Sequence, residues 1–231
     1  MTQDDAVATG ARFPQGSRAH LLHALSLVAL CAGLAVGSTL LARTFYGGDL
    51  GLLSGSPASF AALGAQVALV VVIGWGWLLR FGRVSLRDLG FRDLSVKQLL
   101  LGIAAVVPSL VCIGSMLTMV GMTPPALLDA ILAQPWQARL LCLGVGLVTA
   151  VAEESVFRGY LQPSLAARLG MAGGVIGTAL LFSMIHLSQS WAQVASRFLL
   201  GLIFGLLRGG DQPLWAPVIA HTLVWVVIGP V

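Results

Sequence analysis

The chain has 231 residues, 57% of them hydrophobic and 10% charged, with a net charge of +4 and a mean hydropathy of +0.91. A soluble domain normally carries about 25% charged residues, so this composition excludes an ordinary soluble protein and predicts an all-α, polytopic membrane helix bundle. The positive charge comes from twelve Arg and one Lys spread over short connectors, with no basic patch of interleaved aromatics, which argues against nucleic acid as a partner.

Residues 1–19 are polar and read as a cytoplasmic tail. Arg12 and Arg18 ahead of a long apolar run resemble a signal anchor rather than a cleaved leader. Residues 20–231 read as a single transmembrane domain. Taking about 20 apolar residues per span, seven spans are expected: His20 to Ala42, Pro57 to Leu79, Gln98 to Gly121, Ala138 to Leu161 or beyond, Met171 to Leu187, Trp191 to Leu207 and Pro213 to Ile228. Six or eight spans are also compatible with the pattern.

The connector from Arg80 to Lys97 alternates Val84, Leu86, Leu89, Phe91 and Leu94 with Arg and Asp, which suggests either a short helix lying on the lipid surface or an ordinary loop. Trp77, Trp136, Trp191 and Trp215 lie near span ends, as aromatic-belt residues do. Cys31, Cys112 and Cys142 fall in three different apolar runs without a CxxC pair, which fits buried inert thiols. Arg12 and Arg18, the Arg80–Lys97 connector, Arg158 with Arg168, and Arg208 all fall on one side of a seven-span chain. The opposite connectors are poor in basic residues. By the positive-inside rule the amino terminus is cytoplasmic and the carboxyl terminus is on the other side, in a bacterium across the plasma membrane.

The two glutamates of the chain, Glu153 and Glu154, are adjacent and sit inside the fourth span. A charged side chain at the bilayer centre costs about 2.5–3.5 kcal/mol even on the lenient insertion scale, so the pair implies function. Glu154 and Arg158 are four residues apart and share a helix face, whereas Glu153 points about 100° away. A guanidinium can grip Glu154. Glu153 has no such local partner, which suits a residue that takes a proton from water and hands it on. A buried salt bridge with a spare Glu near the headgroups is the competing reading. The fifth span carries Phe182 and His186, again four apart and therefore stacked. The seventh carries His221. His20 and His23 stand at the mouth of the first span and read as interfacial.

Glu-Glu-x-x-x-Arg at Glu153, Glu154 and Arg158, then Phe-x-x-x-His at Phe182 and His186, then the intramembrane His221, resembles the CPBP family. That family groups CAAX-type prenyl-protein endopeptidases with the bacteriocin-processing and self-immunity proteins called Abi. The motifs occupy the core 138–231. The resemblance implies an intramembrane endopeptidase acting on a protein or peptide presented at the membrane, a prenylated substrate being one option. It also implies that Glu153 is the general base, that His186 helps to orient or deprotonate the water, that His221 stabilises the oxyanion, and that Glu154 and Arg158 form a supporting pair. Trp225 stands where the family pattern has Asn, and an indole N–H has a different reach from an amide. Thr222, Gln189 or a backbone N–H are the candidate substitutes.

Glu153, His186 and His221 are also the candidate ligands for zinc, although the His-Glu-x-x-His pair that places two ligands on one helix turn is missing. The favoured expectation is a metal-free glutamate mechanism with no cofactor required. Two alternatives from other classes are a proton-coupled transporter, since intramembrane Glu and His also build relays, and a catalytically weak membrane scaffold, suggested by Trp225. The Gly-x-x-x-Gly pairs Gly173 with Gly177 and Gly201 with Gly205 predict close helix packing inside the bundle rather than dimerisation, and the sequence leaves the oligomeric state open. Arg197 is expected to snorkel to the interface or to line the cavity entrance.

Overall fold

Strand formation would leave backbone groups unpaired in an apolar solvent, and among the described residues of this chain no strand occurs. The computed structural model describes residues 13, 16–46, 73–119, 121, 123–186, 191–210 and 212–228, with backbone alone at 35, 38–46, 79 and 193. The elements are α1 (Arg18–Tyr46), a π turn (Trp77–Phe81), α2 (Val96–Ala104), α3 (Val106–Met119), α4 (Pro124–Ala133), α5 (Trp136–Glu154), a π-helical segment (Ser155–Leu161), α6 (Gln162–Met184), α7 (Trp191–Arg208) and α8 (Trp215–Ile228).

Local chemistry sets several of these boundaries. Ser95 accepts from the Gln98 backbone N–H while the Gln98 side chain accepts from the Ser95 N–H, a capping box that starts α2. Thr123 caps α4, whose first turn holds Pro124 and Pro125. Only Ala105 separates α2 from α3, so Val96–Met119 runs as 24 residues, about 36 Å at helical rise and long enough for a hydrocarbon core of about 30 Å. The stretch Trp136–Met184 also passes the length and hydropathy test for a span. Gly170 breaks it with φ 73° and ψ 171°. The fourth and fifth expected spans are therefore two limbs joined at a glycine in the left-handed half of backbone space.

The first, sixth and seventh expected spans coincide with α1, α7 and α8 within a few residues. The second lies outside the described residues except for its end. Of the two readings of the connector after it, the loop holds: it turns at 86–90 and continues without regular structure to Ser95. Val84 and Leu89 are buried, Leu214 donates its N–H to the Gly90 carbonyl at 2.9 Å, and Trp215 Nε1 donates to the Arg92 carbonyl at 2.6 Å. Val84 and Leu89 thus pack into the protein, whereas Leu86 and Leu94 stay exposed. His20 and His23, at the mouth of α1, also pack against the protein. His20 is buried, and His23 Nδ1 is 2.9 Å from the Tyr160 hydroxyl. Gly16, within the polar tail, accepts from Arg168 at 3.2 Å.

The polarity of the bundle is turned inside out. Glu154, Arg158, Gln162, Ser164, Thr178 and His221 are buried, while Leu100, Val107 and Val111 on α2 and α3 and Leu140, Leu143 and Leu147 on α5 face outward. Contiguous exposed apolar surface is a liability in water and the expected exterior in lipid.

Glycines allow the close approaches. A Cβ on Gly201 would lie 2.9 Å from both Cα and Cβ of Ala179, so α7 meets α6 at backbone distance. The Gly201/Gly205 pair thus packs within the bundle, as expected. Gly201→Ala should lower the Tm in detergent by about 2–10 °C, from an overpacking cost of about 1–3 kcal/mol. Gly144→Ala, where a Cβ meets nothing within 4 Å, should leave the Tm unchanged or raise it. Equal effects from the two would contradict this packing.

Candidate functional site

Helix α5 ends at Glu154 and the next seven residues form a π-helical segment, all buried, before α6 resumes α geometry. Such widened turns re-aim side chains and recur at functional sites. The segment sits between α5, α6 and α1, and Leu89 of the inward connector presses on it at Gly159, where a Cβ would lie 2.8 Å from the Leu89 carbonyl oxygen. The carboxylates are thus displayed from a rigid, packed base.

Arg158 closes the centre. Its Nη1 donates to Glu154 Oε1 at 3.1 Å with both side chains fully buried, and its Nη2 donates to the Gly201 carbonyl at 3.3 Å. The guanidinium carbon lies 4.4 Å from the Phe182 ring centre, 5.6 Å from Phe204 and 5.9 Å from Phe157. One cation therefore joins the π segment, α6 and α7, with aromatic faces replacing part of its hydration.

Glu154 Oε1 is shared: His221 Nδ1 lies 2.9 Å from it. The His221 Nε2 is 3.9 Å from Glu153 Oε2. His221 thus stands between the two adjacent carboxylates, whose separation by about 100° around the helix lets them meet opposite edges of one imidazole. Phe204 stacks on that ring with centroids 5.2 Å apart and planes 27° from parallel, and Phe182 meets it edge-on at 6.3 Å. Phe182 also holds His186 edge-on at 5.2 Å. The His186 Nδ1 is 2.9 Å from the Phe182 carbonyl. A carbonyl only accepts, so Nδ1 carries the proton and the neutral ring presents a lone pair at Nε2. By the same reasoning, a carboxylate at Glu154 takes the Nδ1 proton of His221. A donor role at His221 Nε2 then requires the doubly protonated ring.

Glu153, Glu154, Arg158, Phe182, His186 and His221 accordingly lie around one centre, with the two imidazoles sharing Phe182. The Glu153 side chain is 20% exposed against 0% for Glu154, so only the former is open to an incoming water. The stem of Trp225 packs on α5: a Cβ on Gly146 would lie 2.5 Å from its Cβ and 2.9 Å from its Cγ. The Thr222 hydroxyl donates to the Val218 carbonyl at 2.8 Å, and Gln189 lies outside the described residues. Among the described residues no three His, Cys, Asp or Glu side chains converge as a metal-holding group, so the candidate zinc ligands Glu153, His186 and His221 do not form such a set here.

Several partners escape sequence reasoning. Phe157 and Phe204 read only as apolar helix residues, and a backbone carbonyl such as that of Gly201 carries no signature at all. Arg197 did carry a signal, being an arginine within an apolar span.

Residues 135–227 match the family model described as Type II CAAX prenyl endopeptidase Rce1-like. The match runs from the start of α5 to the last turn of α8 and so contains every residue of this centre. No curated protein and no solved structure matches the chain.

Removing one member of a buried ion pair leaves an uncompensated charge, a loss of about 3–5 kcal/mol. Arg158→Met should therefore be strongly destabilised in a detergent melt, and Glu154→Gln with Arg158→Met should recover part of that loss. Additive losses in this double-mutant cycle would show that the two side chains are not coupled.

Proposed function

We propose that this chain, whose residues 135–227 match the Rce1-like type II CAAX prenyl endopeptidase model, is an integral membrane endopeptidase that hydrolyses a protein or peptide presented at the bilayer. The observation that supports this most directly is the pairing of a partly open carboxylate, Glu153, with an imidazole whose far side is held by Glu154. One carboxylate positions and the other is free to react.

In this reading Glu153 accepts a proton from a water molecule as the water oxygen bonds to the scissile carbonyl carbon. The carbonyl π electrons move onto oxygen and the tetrahedral intermediate forms. Its collapse breaks the C–N bond, and Glu153 returns the proton to the departing amine nitrogen. His186 offers the Nε2 lone pair to the second hydrogen of the water and so fixes the direction of attack. His221, gripped at Nδ1 by Glu154, presents Nε2 to the reacting oxygens. Arg158 holds Glu154 in place. No step passes through a metal. The seven-span arrangement with a cytoplasmic amino terminus belongs to the same reading, as does a substrate that reaches Glu153 from the membrane surface.

The test is cleavage of a peptide library, prenylated and unprenylated, by the purified protein in detergent. Glu153→Gln should abolish turnover with an unchanged Tm, and His186→Ala and His221→Ala should each lower kcat by about 10²–10⁴-fold, the range of a lost general acid–base partner. Unaltered cleavage in all three would remove the peptidase reading. A second measurement bears on metal use: chelation of the wild-type enzyme should leave kcat unchanged. Loss of activity on chelation, restored by stoichiometric zinc, would replace the metal-free route.

A further inference from the structure

Hydrolysis by a Glu153-activated water places a negative charge on the former carbonyl oxygen, and such a charge needs donors already in position. The donors of the described site are largely committed. Arg158 spends Nη1 and Nη2 on Glu154 and Gly201, His221 spends Nδ1 on Glu154, His186 spends Nδ1 on Phe182, and Thr222 spends its hydroxyl on Val218. Beside Glu153, the Nε groups of Arg158 and Arg197 stay unbonded among the described residues, and Arg158 already serves Glu154 and Gly201.

Arg197 lies four residues before Gly201 and seven before Phe204 on α7, a spacing that puts all three on one helix face. Gly201 accepts from Arg158 and Phe204 stacks on His221, so that face is the one turned to the site. The guanidinium is within electrostatic reach of both Glu153 and His186. Its Nε is sealed from solvent and bonded to no group among the described residues. Glu153 supplies part of its counter-charge, and the unbonded Nε keeps donor capacity for a further anion. An oxyanion formed beside Glu153 is such an anion, present only while the reaction proceeds.

We propose that Arg197 is a catalytic residue of the proposed endopeptidase, donating from its guanidinium to the tetrahedral oxyanion. This rests on the peptidase reading above. It also separates three tasks that the helices divide: α5 supplies the base, α6 and α8 the imidazoles, and α7 the charge that receives the developing anion. Arginine suits the task because its charge is permanent and its planar fork offers several N–H groups at once.

The experiment measures kcat and KM for wild type, Arg197→Ala and Arg197→Lys on a peptide that wild type cleaves, prepared with a free carboxylate and with an amide at its carboxyl terminus. Arg197→Ala should lower kcat by about 10²–10³-fold, the effect of one lost oxyanion donor, with KM little changed. The loss should be equal on both peptides. Low guanidinium, below the level that unfolds the protein, should restore part of the rate, and Arg197→Lys should retain part of it. Rescue by added guanidinium also shows that the variant is folded. A loss confined to KM and to the free-carboxylate peptide would mean that Arg197 grips the substrate terminus instead, and would overturn the proposal. So would an Arg197→Ala enzyme as fast as wild type while Glu153→Gln is inactive. A wild type that cleaves no peptide would remove the peptidase reading, and this proposal with it.

Discussion

A guanidinium withdrawn from water forfeits hydration worth several kcal/mol, and it stays charged inside a protein only if its surroundings replace that hydration. Arg158 is fully buried and receives its replacement from four directions: the Glu154 carboxylate, the Gly201 carbonyl and the faces of Phe182 and Phe204. Each contact comes from an element that must be correctly placed for the charge to be tolerated. The π segment carries Arg158 beside Glu154, α6 brings Phe182, and α7 brings both Gly201 and Phe204. The close approach of α7 to α6 at Gly201 follows from the same requirement, because a carbonyl can reach a buried guanidinium only where no side chain holds the helices apart.

From that anchored pair the division of labour between the two glutamates follows. Glu154 is consumed by structure: one oxygen serves Arg158 and His221 together. Glu153, one residue earlier and on another face, stays 20% exposed. A run of two identical residues thus becomes one positioning group and one group open to water, because the helix turns about 100° between them. The imidazoles are oriented by the same economy of local bonds, His186 by its own helix carbonyl and His221 by Glu154. Phe182 touches both rings and the Arg158 cation, so a single aromatic side chain couples the electrostatic anchor to the reacting groups.

Much of this was readable from spacing. The Glu154–Arg158 pair, the Phe182–His186 contact and the helix packing at Gly201 are all four-residue relationships, and a helix converts that separation into contact whatever surrounds it. The apolar helices were readable because long apolar runs have few other fates. The connector from Arg80 to Lys97 left two readings open, a lipid-surface helix or a loop, because alternation of apolar and charged residues describes any segment with one wet and one dry side. Nothing in the alternation says whether the dry side is lipid or protein. His20 and His23 carry the same ambiguity, since a histidine at a helix mouth can face headgroups or, as here, pack on Tyr160.

By itself the sequence determined the apolar helices, the segment that carries the chemistry and the local pairs within it, all consequences of a fixed rise and turn per residue. Tertiary structure alone decided that His221 stands between Glu153 and Glu154, that Phe204 and the Gly201 carbonyl complete the cage of Arg158, and that Trp225 packs its stem on Gly146. These are relations between helices far apart along the chain. They depend on how the helices cross and rotate against one another, which is set by the sum of packing and buried polar contacts over the whole bundle and by no local spacing.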